Sequence, residues 1–451
     1  MAIRFLSLSF FFMIAFWVPH RGYAQTLELE QVVMVSRHNI RSPLTPPNVL
    51  RGMTEKIWPT WPGKPGDLTE RGHKLSQFMG IYYRQHFSDR GLFPHKGCID
   101  TSALRIWSNT TQRTRATGKA LLEGMFPDCP IKVDHSEDLK KPDSLFFPLE
   151  NGVCTIDSEK VKTALWGQIG TSTGNSQLMG MRLLRAYAYP LDKLQDTLEC
   201  CKANLCPNSS ETEASCSLDD IPMDLTWDME KKRPILKGPL HIAYEATDNF
   251  LLQYAEGFPM KDVGWGKIKR DELRDLFRFQ SLVFELEWKN PYVAKRQSAM
   301  LMAAIREALI AAQDDRQKRK SNTNKLTLFV GHDTNIAALS AMLGLDFLID
   351  GYQPQQVPLG GALAFELLKD PESEEEFVQV VFYSQTLEQL RDQTPLDANT
   401  SPDRLLLNLP ACGDPGSLCP LKKFTTLLQN VIDPECVNEP YIKSIIAQGK
   451  V

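Results

Sequence analysis

Two stretches of this chain share one form. Val32-Val33-Met34-Val35-Ser36 is a short β-rich apolar run that exits into Arg37-His38-Asn39-Ile40-Arg41-Ser42-Pro43. Far downstream, Leu326-Thr327-Leu328-Phe329-Val330 exits into Gly331-His332-Asp333. Runs of this length and composition read as strands buried inside a sheet. In open α/β sheets, sites gather beyond the C-terminal ends of the strands, which is where both histidines fall. His38 and His332 meet only if the two strands lie side by side in one sheet. That requirement sets the reading of the whole chain.

The bulk properties leave room for such a sheet. The chain has 451 residues, 42% of them hydrophobic, enough for one large domain or two moderate ones. Its formal charge is -4 and its basic clusters are short, so nothing resembles a nucleic-acid footprint. Residues 1–24 read as a signal peptide: Arg4, an apolar run from Phe5 to Val18, then Gly22-Tyr23-Ala24 with cleavage after Ala24. That run of about 14 residues is short for a spanning helix, which takes roughly 20. An uncleaved anchor is the rival reading. Cys98, Cys129, Cys154, Cys200, Cys201, Cys206, Cys216, Cys412, Cys419 and Cys436 form an even set of 10, which in an exported chain implies up to five disulfides. Spacing does not fix the pairs. The short Cys412–Cys419 loop is geometrically easy, and Cys154–Cys436 would tie the chain's end to its middle. The cysteines lack the paired CxxC spacing of a zinc site. A periplasmic or secreted protein is expected, off the membrane once the signal is removed, monomeric or homodimeric.

Strand and helix patterns alternate. After the strand at 31–36 comes a Pro/Gly-rich loop from Pro43 to Gly66. A helix follows, opened by Thr69 as N-cap and running through Tyr82-Tyr83. Leu104 to Ser108 reads as a strand and 113–125 as a helix. This order predicts an α/β fold, a three-layer α/β/α sandwich. Residues 155–265 read instead as an inserted, mostly helical domain, with helical spacing at 160–170, 177–187 and 246–254 and a polar loop at 202–220. The α/β domain would thus comprise residues 25–154 and 266–451. Its second part has helices at 271–287, 292–313 and 334–343, a strand at 326–330 and a strand hairpin at 362–366 and 377–383.

The polar exits point to phosphoryl transfer. A phosphoryl group in transfer spreads charge over three equatorial oxygens, so catalysis needs fixed positive donors around it. Arginine suits this because its planar fork gives paired, charge-assisted hydrogen bonds. Arg37 and Arg41 flank His38, and Arg113 follows another strand's exit. A helix N-terminus after His38 would add backbone donors. His38 is the candidate nucleophile, His332 a further donor to the phosphoryl oxygens, and Asp333 the acid that protonates the leaving oxygen. An aspartic acid in that role favours acid pH, since an ordinary aspartate titrates near ~3.9. Gly331 fits a close approach of backbone to ligand. The blander readings are a structural histidine, surface ion pairing, and Asp333 as a helix cap. His73, His86, His95, His135 and His241 read as surface or packing residues. Asn109-Thr110-Thr111 and Asn208-Ser209-Ser210 match glycosylation acceptors, relevant only in a eukaryotic host. No cofactor motif appears, and the arginines would supply the charge that metal ions supply in metal-dependent phosphoryl transfer.

Arg37-His38-Asn39-Ile40-Arg41-Ser42-Pro43 resembles the signature of the histidine acid phosphatases, the branch of the histidine phosphatase superfamily that includes phytases. Gly331-His332-Asp333-Thr334-Asn335 resembles the same family's second signature. The resemblance covers nearly all of the expected mature chain. It implies an α/β sandwich with a smaller helical domain over the cleft, and hydrolysis of phosphate monoesters through a phosphohistidine. It also implies His38 as phosphate acceptor, Arg37, Arg41, Arg113 and His332 as phosphate pocket, and Asp333 as general acid.

Within the family, Asn39 and the run from Leu252 to Met260 with Val263-Gly264-Trp265-Gly266 look most like bacterial glucose-1-phosphatases. Trp58 to Pro62 and Leu68 to Gly72 resemble those enzymes and bacterial phytases alike. Two departures oppose each other. The phytases carry Thr-Lys after the signature proline, where Leu44-Thr45 stands here, so a phosphate-binding lysine is missing. The glucose-1-phosphatases hold sugar partly with a glutamate upstream of a Gly-Pro-Leu run, here Gly238-Pro239-Leu240. Arg233 stands at that position beside Lys231 and Lys232, unless Glu230 takes the role. A sugar phosphate such as glucose 1-phosphate is the expected substrate. Inositol hexakisphosphate is the alternative that Arg233 favours. A phosphoglycerate-mutase-like phosphotransferase and a non-catalytic phosphate-binding protein are the more distant readings.

Overall fold

The apolar run around Val33 forms strand β1 (Glu28–Arg37) in the computed structural model, and its last seven residues are all buried. The structure describes residues 27–170, 176–199, 218, 221–228, 232–318, 323–397, 399–413 and 418–447. The expected signal peptide, Cys200, Cys201, Cys206, Cys216, most of the 202–220 loop, Asn208 to Ser210, Glu230 and Lys231 lie outside them. After β1 come α1 (Pro47–Met53), α2 (Glu70–Asp89), β2 (Leu104–Ser108), α3 (Gln112–Met125) and β3 (Asp134–His135). Then follow α4 (Ser158–Ile169), α5 (Ser176–Ala186), α6 (Ala188–Leu198), the hairpin β4 (Asp224–Asp228) and β5 (Arg233–Lys237), α7 (Pro239–Ala255), α8 (Arg270–Leu276) and α9 (Arg278–Glu287). The long α10 (Pro291–Gln317) leads to β6 (Leu326–Gly331), α11 (Asp333–Leu343), β7 (Ala362–Lys369), β8 (Glu376–Ser384) and α12 (Leu387–Asp392). The described chain closes with β9 (Asp403–Leu407), β10 (Cys419–Pro420), α13 (Leu421–Val431) and α14 (Glu439–Ala447).

One sheet of eight strands runs in the order β10-β8-β7-β1-β6-β2-β3, with β9 also paired to β8. β1 lies between parallel β6 and antiparallel β7, and β6 in turn pairs in parallel with β2. The period-2 alternation of side chains divides two cores. Val33, Val35 and Phe329 belong to one, with Met300, Leu301 and Leu309 of α10. Val32, Met34, Leu328 and Val330 belong to the other, with Met79 and Tyr83 of α2 and Leu121 of α3. A sheet apolar on both faces needs a helical layer on each, and the α/β/α sandwich follows. The elements from α4 to α9 add no strand to this sheet; β4 and β5 pair only with each other.

Several expectations change at the level of elements. The helix expected over 271–287 is two helices, α8 and α9, broken at Phe277, whose ring packs near Tyr352 with centroids 6.3 Å apart. The loop from Pro43 to Gly66 contains a short helix, α1. Thr69 caps α2 by accepting from Gly72 N. Disulfides join Cys98–Cys129, Cys154–Cys436 and Cys412–Cys419. No described helix is long and apolar enough to cross a membrane.

Helices α2 and α3 touch backbone to backbone. A Cβ at Gly124 would stand 2.1 Å from Gln77 O, and one at Gly80 would stand 2.2 Å from Leu121 O. Backbone on both sides leaves nothing soft to yield. Gly124→Ala is therefore expected to destabilise the protein by about 1–3 kcal/mol, outweighing alanine's better helix propensity. A urea midpoint lowered at unchanged m-value would show it; an unchanged or raised midpoint would mean the helices separate freely.

Candidate active site

Strand register assembles the site. Arg37 pairs with Gly331, and Ser36 and Ser108 both pair with Val330, so β1, β6 and β2 end level. The ladder continues for one step beyond: His38 N donates to Gly331 O at 3.0 Å, and Asn109 N donates to Val330 O at 2.9 Å. The rings of His38 and His332 stand with centroids 5.4 Å apart at 74°. The meeting that the sequence requires is present, and both histidines are buried.

Hydrogen bonding fixes the state of His38. Its Nδ1 lies 2.8 Å from Asn39 O, and a carbonyl only accepts, so Nδ1 carries the proton and Nε2 the lone pair. Burial holds the His38 pKa well below the usual value, with Arg113, His332, Arg37 and Arg41 adding to the effect. The imidazole therefore stays neutral well into acid, as a nucleophile must.

Three guanidinium groups surround it. Arg37 donates to Val357 O at 2.5 Å and sits 2.7 Å from Asp333 Oδ2. Arg41 meets Asp248 Oδ2 of α7 at 3.1 Å. Arg113 donates to Gly66 O at 3.4 Å, and burial together with Arg41 and Arg37 pushes its pKa down to about 10. The Nε–H of each of these three arginines is buried without a partner. Buried donors are otherwise nearly always satisfied, so this cluster is built for an anion.

His38, Arg41, Asn109, Arg113, His332 and Asp333 line a cavity of about 460 Å³. Its far wall holds Arg233, Glu150, Glu287 and Trp288. Arg233 thus faces inward, but its charge is taken: it is ion-paired to Glu287 and stacks over the Trp288 ring at 4.5 Å. Leu44, at the position of the phytase Thr-Lys pair, lines the same cavity, while Thr45 bonds Glu245.

Some residues play other parts than expected. No helix starts directly after His38, since α1 begins only at Pro47; the helix N-terminus at the site is that of α11, with His332 as N-cap and Asp333 in its first turn. The N–H groups of Asn39 and Ile40 are spent on Thr117 Oγ1 and Asn39 Oδ1. The tight approach at Gly331 is to side chains, since a Cβ there would lie 2.6 Å from Asn335 Oδ1 and 2.8 Å from Phe146. His241 lines the cavity instead of packing elsewhere. Asn109, read as part of a glycosylation acceptor, is 1% exposed with its amide bonded to His332. Sequence reasoning missed Tyr244 and Asp248, one turn apart on α7; polar side chains are scattered along that helix, and which of them face the site follows from its burial, not from its sequence.

Comparison with known proteins agrees with this geometry. The phytase AppA of Escherichia coli (strain K12) is 34% identical over 430 residues, covering 93% of this chain and 96% of that protein. A glucose-1-phosphatase of Salmonella typhimurium is 32% identical over 408 residues, covering 89% and 92%. The structure of Hafnia alvei phytase in complex with myo-inositol hexakis sulphate superimposes with a TM-score of 0.80 at 32% identity, covering 91% and 98%. The phytase likeness is thus at least as strong as the glucose-1-phosphatase likeness that the sequence motifs favoured. Residues 28–383 match the model of the histidine phosphatase superfamily (branch 2). With its two histidine-bearing strand ends joined at one arginine-ringed cavity, the chain belongs to that superfamily, as a histidine acid phosphatase that hydrolyses phosphate monoesters through a phosphohistidine.

Proposed function

We propose that His38 is the nucleophile and Asp333 the proton donor. We further propose that the preferred substrates are phosphate monoesters bearing additional negative charge, of the inositol polyphosphate class. The observation that carries the catalytic assignment is the set of unpartnered Nε–H donors on Arg37, Arg41 and Arg113 around a neutral His38. The phosphoryl oxygens take those donors. His38 Nε2 forms a bond to phosphorus as the ester P–O bond breaks, and the departing oxygen takes the proton of Asp333. The Asp333 carboxylate then takes a proton from water, whose oxygen displaces the imidazole and releases inorganic phosphate. His38 returns neutral. The guanidinium groups hold the charge throughout.

For the substrate, Arg233 lines the same cavity as His38, as a cation that a second phosphate would draw from Glu287, and the full-length likeness to phytases supports the same class. A second reading, a neutral sugar monophosphate, draws on Glu150 and Glu287, which line the same wall and accept hydroxyl groups. Three disulfides support action outside the reducing cytoplasm.

His38→Ala is expected to lower turnover by about 10³-fold or more. Asp333→Asn should slow alkyl phosphates far more than p-nitrophenyl phosphate, whose leaving group departs without a proton. Equal losses on both would remove Asp333 from the proton-donor role. Inositol hexakisphosphate should surpass glucose 1-phosphate in kcat/KM, and Arg233→Met should cost it about tenfold while aryl phosphate changes little. Strong turnover of glucose 1-phosphate with none of the hexakisphosphate would establish the sugar-phosphate reading instead.

A further inference from the structure

The Asn109 side chain has only one way to meet His332. Its Oδ1 accepts two backbone N–H groups, from Thr110 and Asp143, each at 2.8 Å. The oxygen is thereby fixed, and Nδ2 is the atom turned to His332 Nε2, 2.7 Å away. An amide NH₂ only donates, so Nε2 must be the bare nitrogen of His332 and Nδ1 must carry the proton. Both side chains are buried. Asp143, whose N–H locks the amide, is itself held: its carboxylate accepts from Trp107 Nε1 at 2.8 Å and from Tyr441 OH of α14 at 2.9 Å.

We propose that Asn109 is a positioning residue that holds His332 as a neutral Nδ1–H donor, so that His332 gives the phosphoryl group a hydrogen bond and no charge. The groups facing His332 fit this division. Arg37 and Arg41 approach from the β1 exit and Arg113 from α3. His38 stands beside it, and Phe147 covers it with ring centroids 5.4 Å apart. Asp333, its neighbour in sequence, is turned to Arg37. Among the described residues, the hydrogen-bond partner of Nε2 is the Asn109 amide, a donor. A protonated His332 would add a fourth buried cation to three that already repel one another. Protonating Nε2 would also turn the Asn109 contact into two opposed donors.

The proposal rests on the phosphatase reading, but its first test does not need activity. In the full-length protein with ¹⁵N-labelled histidine, His332 should show a pyridine-type Nε2 and a pyrrole-type Nδ1 across acid to neutral pH. An Nε2–H tautomer or an imidazolium would overturn the proposal and leave the phosphatase assignment untouched. The second test is Asn109→Asp, which keeps the shape and the two accepted backbone bonds but turns Nδ2 into an acceptor. A carboxylate there must take an Nε2–H. It raises the His332 pKa, so His332 is an imidazolium in acid and still has Nδ1–H to donate. As pH rises through that pKa, Nδ1 loses its proton and presents a lone pair to the phosphoryl oxygens. The variant-to-wild-type ratio of kcat/KM for p-nitrophenyl phosphate should therefore fall about tenfold from acid to neutral pH. A ratio flat with pH, at unchanged Tm, would reduce Asn109 to a packing residue.

Discussion

Three guanidinium groups crowded into one buried space are the constraint on which the site depends. Among the described residues, Arg37 is ion-paired to Asp333 and Arg41 to Asp248, while Arg113 meets a backbone carbonyl. Burial, and after it the charge of Arg41, lowers the Arg113 pKa, which records the cost of holding the cluster. Such a cluster persists only where the scaffold is stiff enough to hold it. The scaffold here is the middle of an eight-stranded sheet, where Val33, Val35 and Phe329 are fully buried on one face and Val32 and Val330 on the other. The stability of the apolar layers offsets an electrostatic arrangement that is unfavourable until an anion arrives.

The same crowding explains the histidines. In a ring of cations, an imidazole that took a proton would become another cation, so burial and the arginines together keep His38 and His332 neutral. Each histidine is then oriented by one hydrogen bond of defined direction. Asn39 O takes the Nδ1 proton of His38, and Asn109 Nδ2 donates to Nε2 of His332. Opposite partners produce opposite uses of the ring. His38 is left with a free lone pair on Nε2, and His332 with a free N–H on Nδ1. Two residues of the same type thus present a lone pair and an N–H to one cavity without any difference in charge.

What was legible in the sequence follows from how local each cause is. β1 and β6 could be read because each is an apolar run with a polar exit, and their side-by-side placement followed from the chemistry of the two exits. Cys154–Cys436 and Cys412–Cys419, two pairs the sequence left open, are both formed, the first across 282 residues that only the fold brings together. The break at Phe277 was not legible, since the pattern of apolar residues continues across it and a distant ring, Tyr352, lies against the turn. Asp248 was missed because it lies 207 residues from its partner Arg41. The place of Asn109 against His332 was not legible because it is a property of the sheet register, whereas the glycosylation motif it matches is a three-residue pattern.

The cavity is electrostatically divided, and that division bears on what it selects. Around His38 the arginines face two carboxylates, Asp333 and Asp248, which Arg37 and Arg41 already hold. On the far wall, Arg233 is neutralised by Glu287, and Glu150 stands nearby. The unpartnered donors thus lie at the His38 end of the cavity, and the opposite lining presents nearly balanced charge. A second phosphate reaching Arg233 must compete with a carboxylate in contact with it, so additional negative charge gains only the difference between two ion pairs. The leaving-group end of this site discriminates by exchange of partners, while the phosphate end binds by filling donors that nothing else in the described structure occupies.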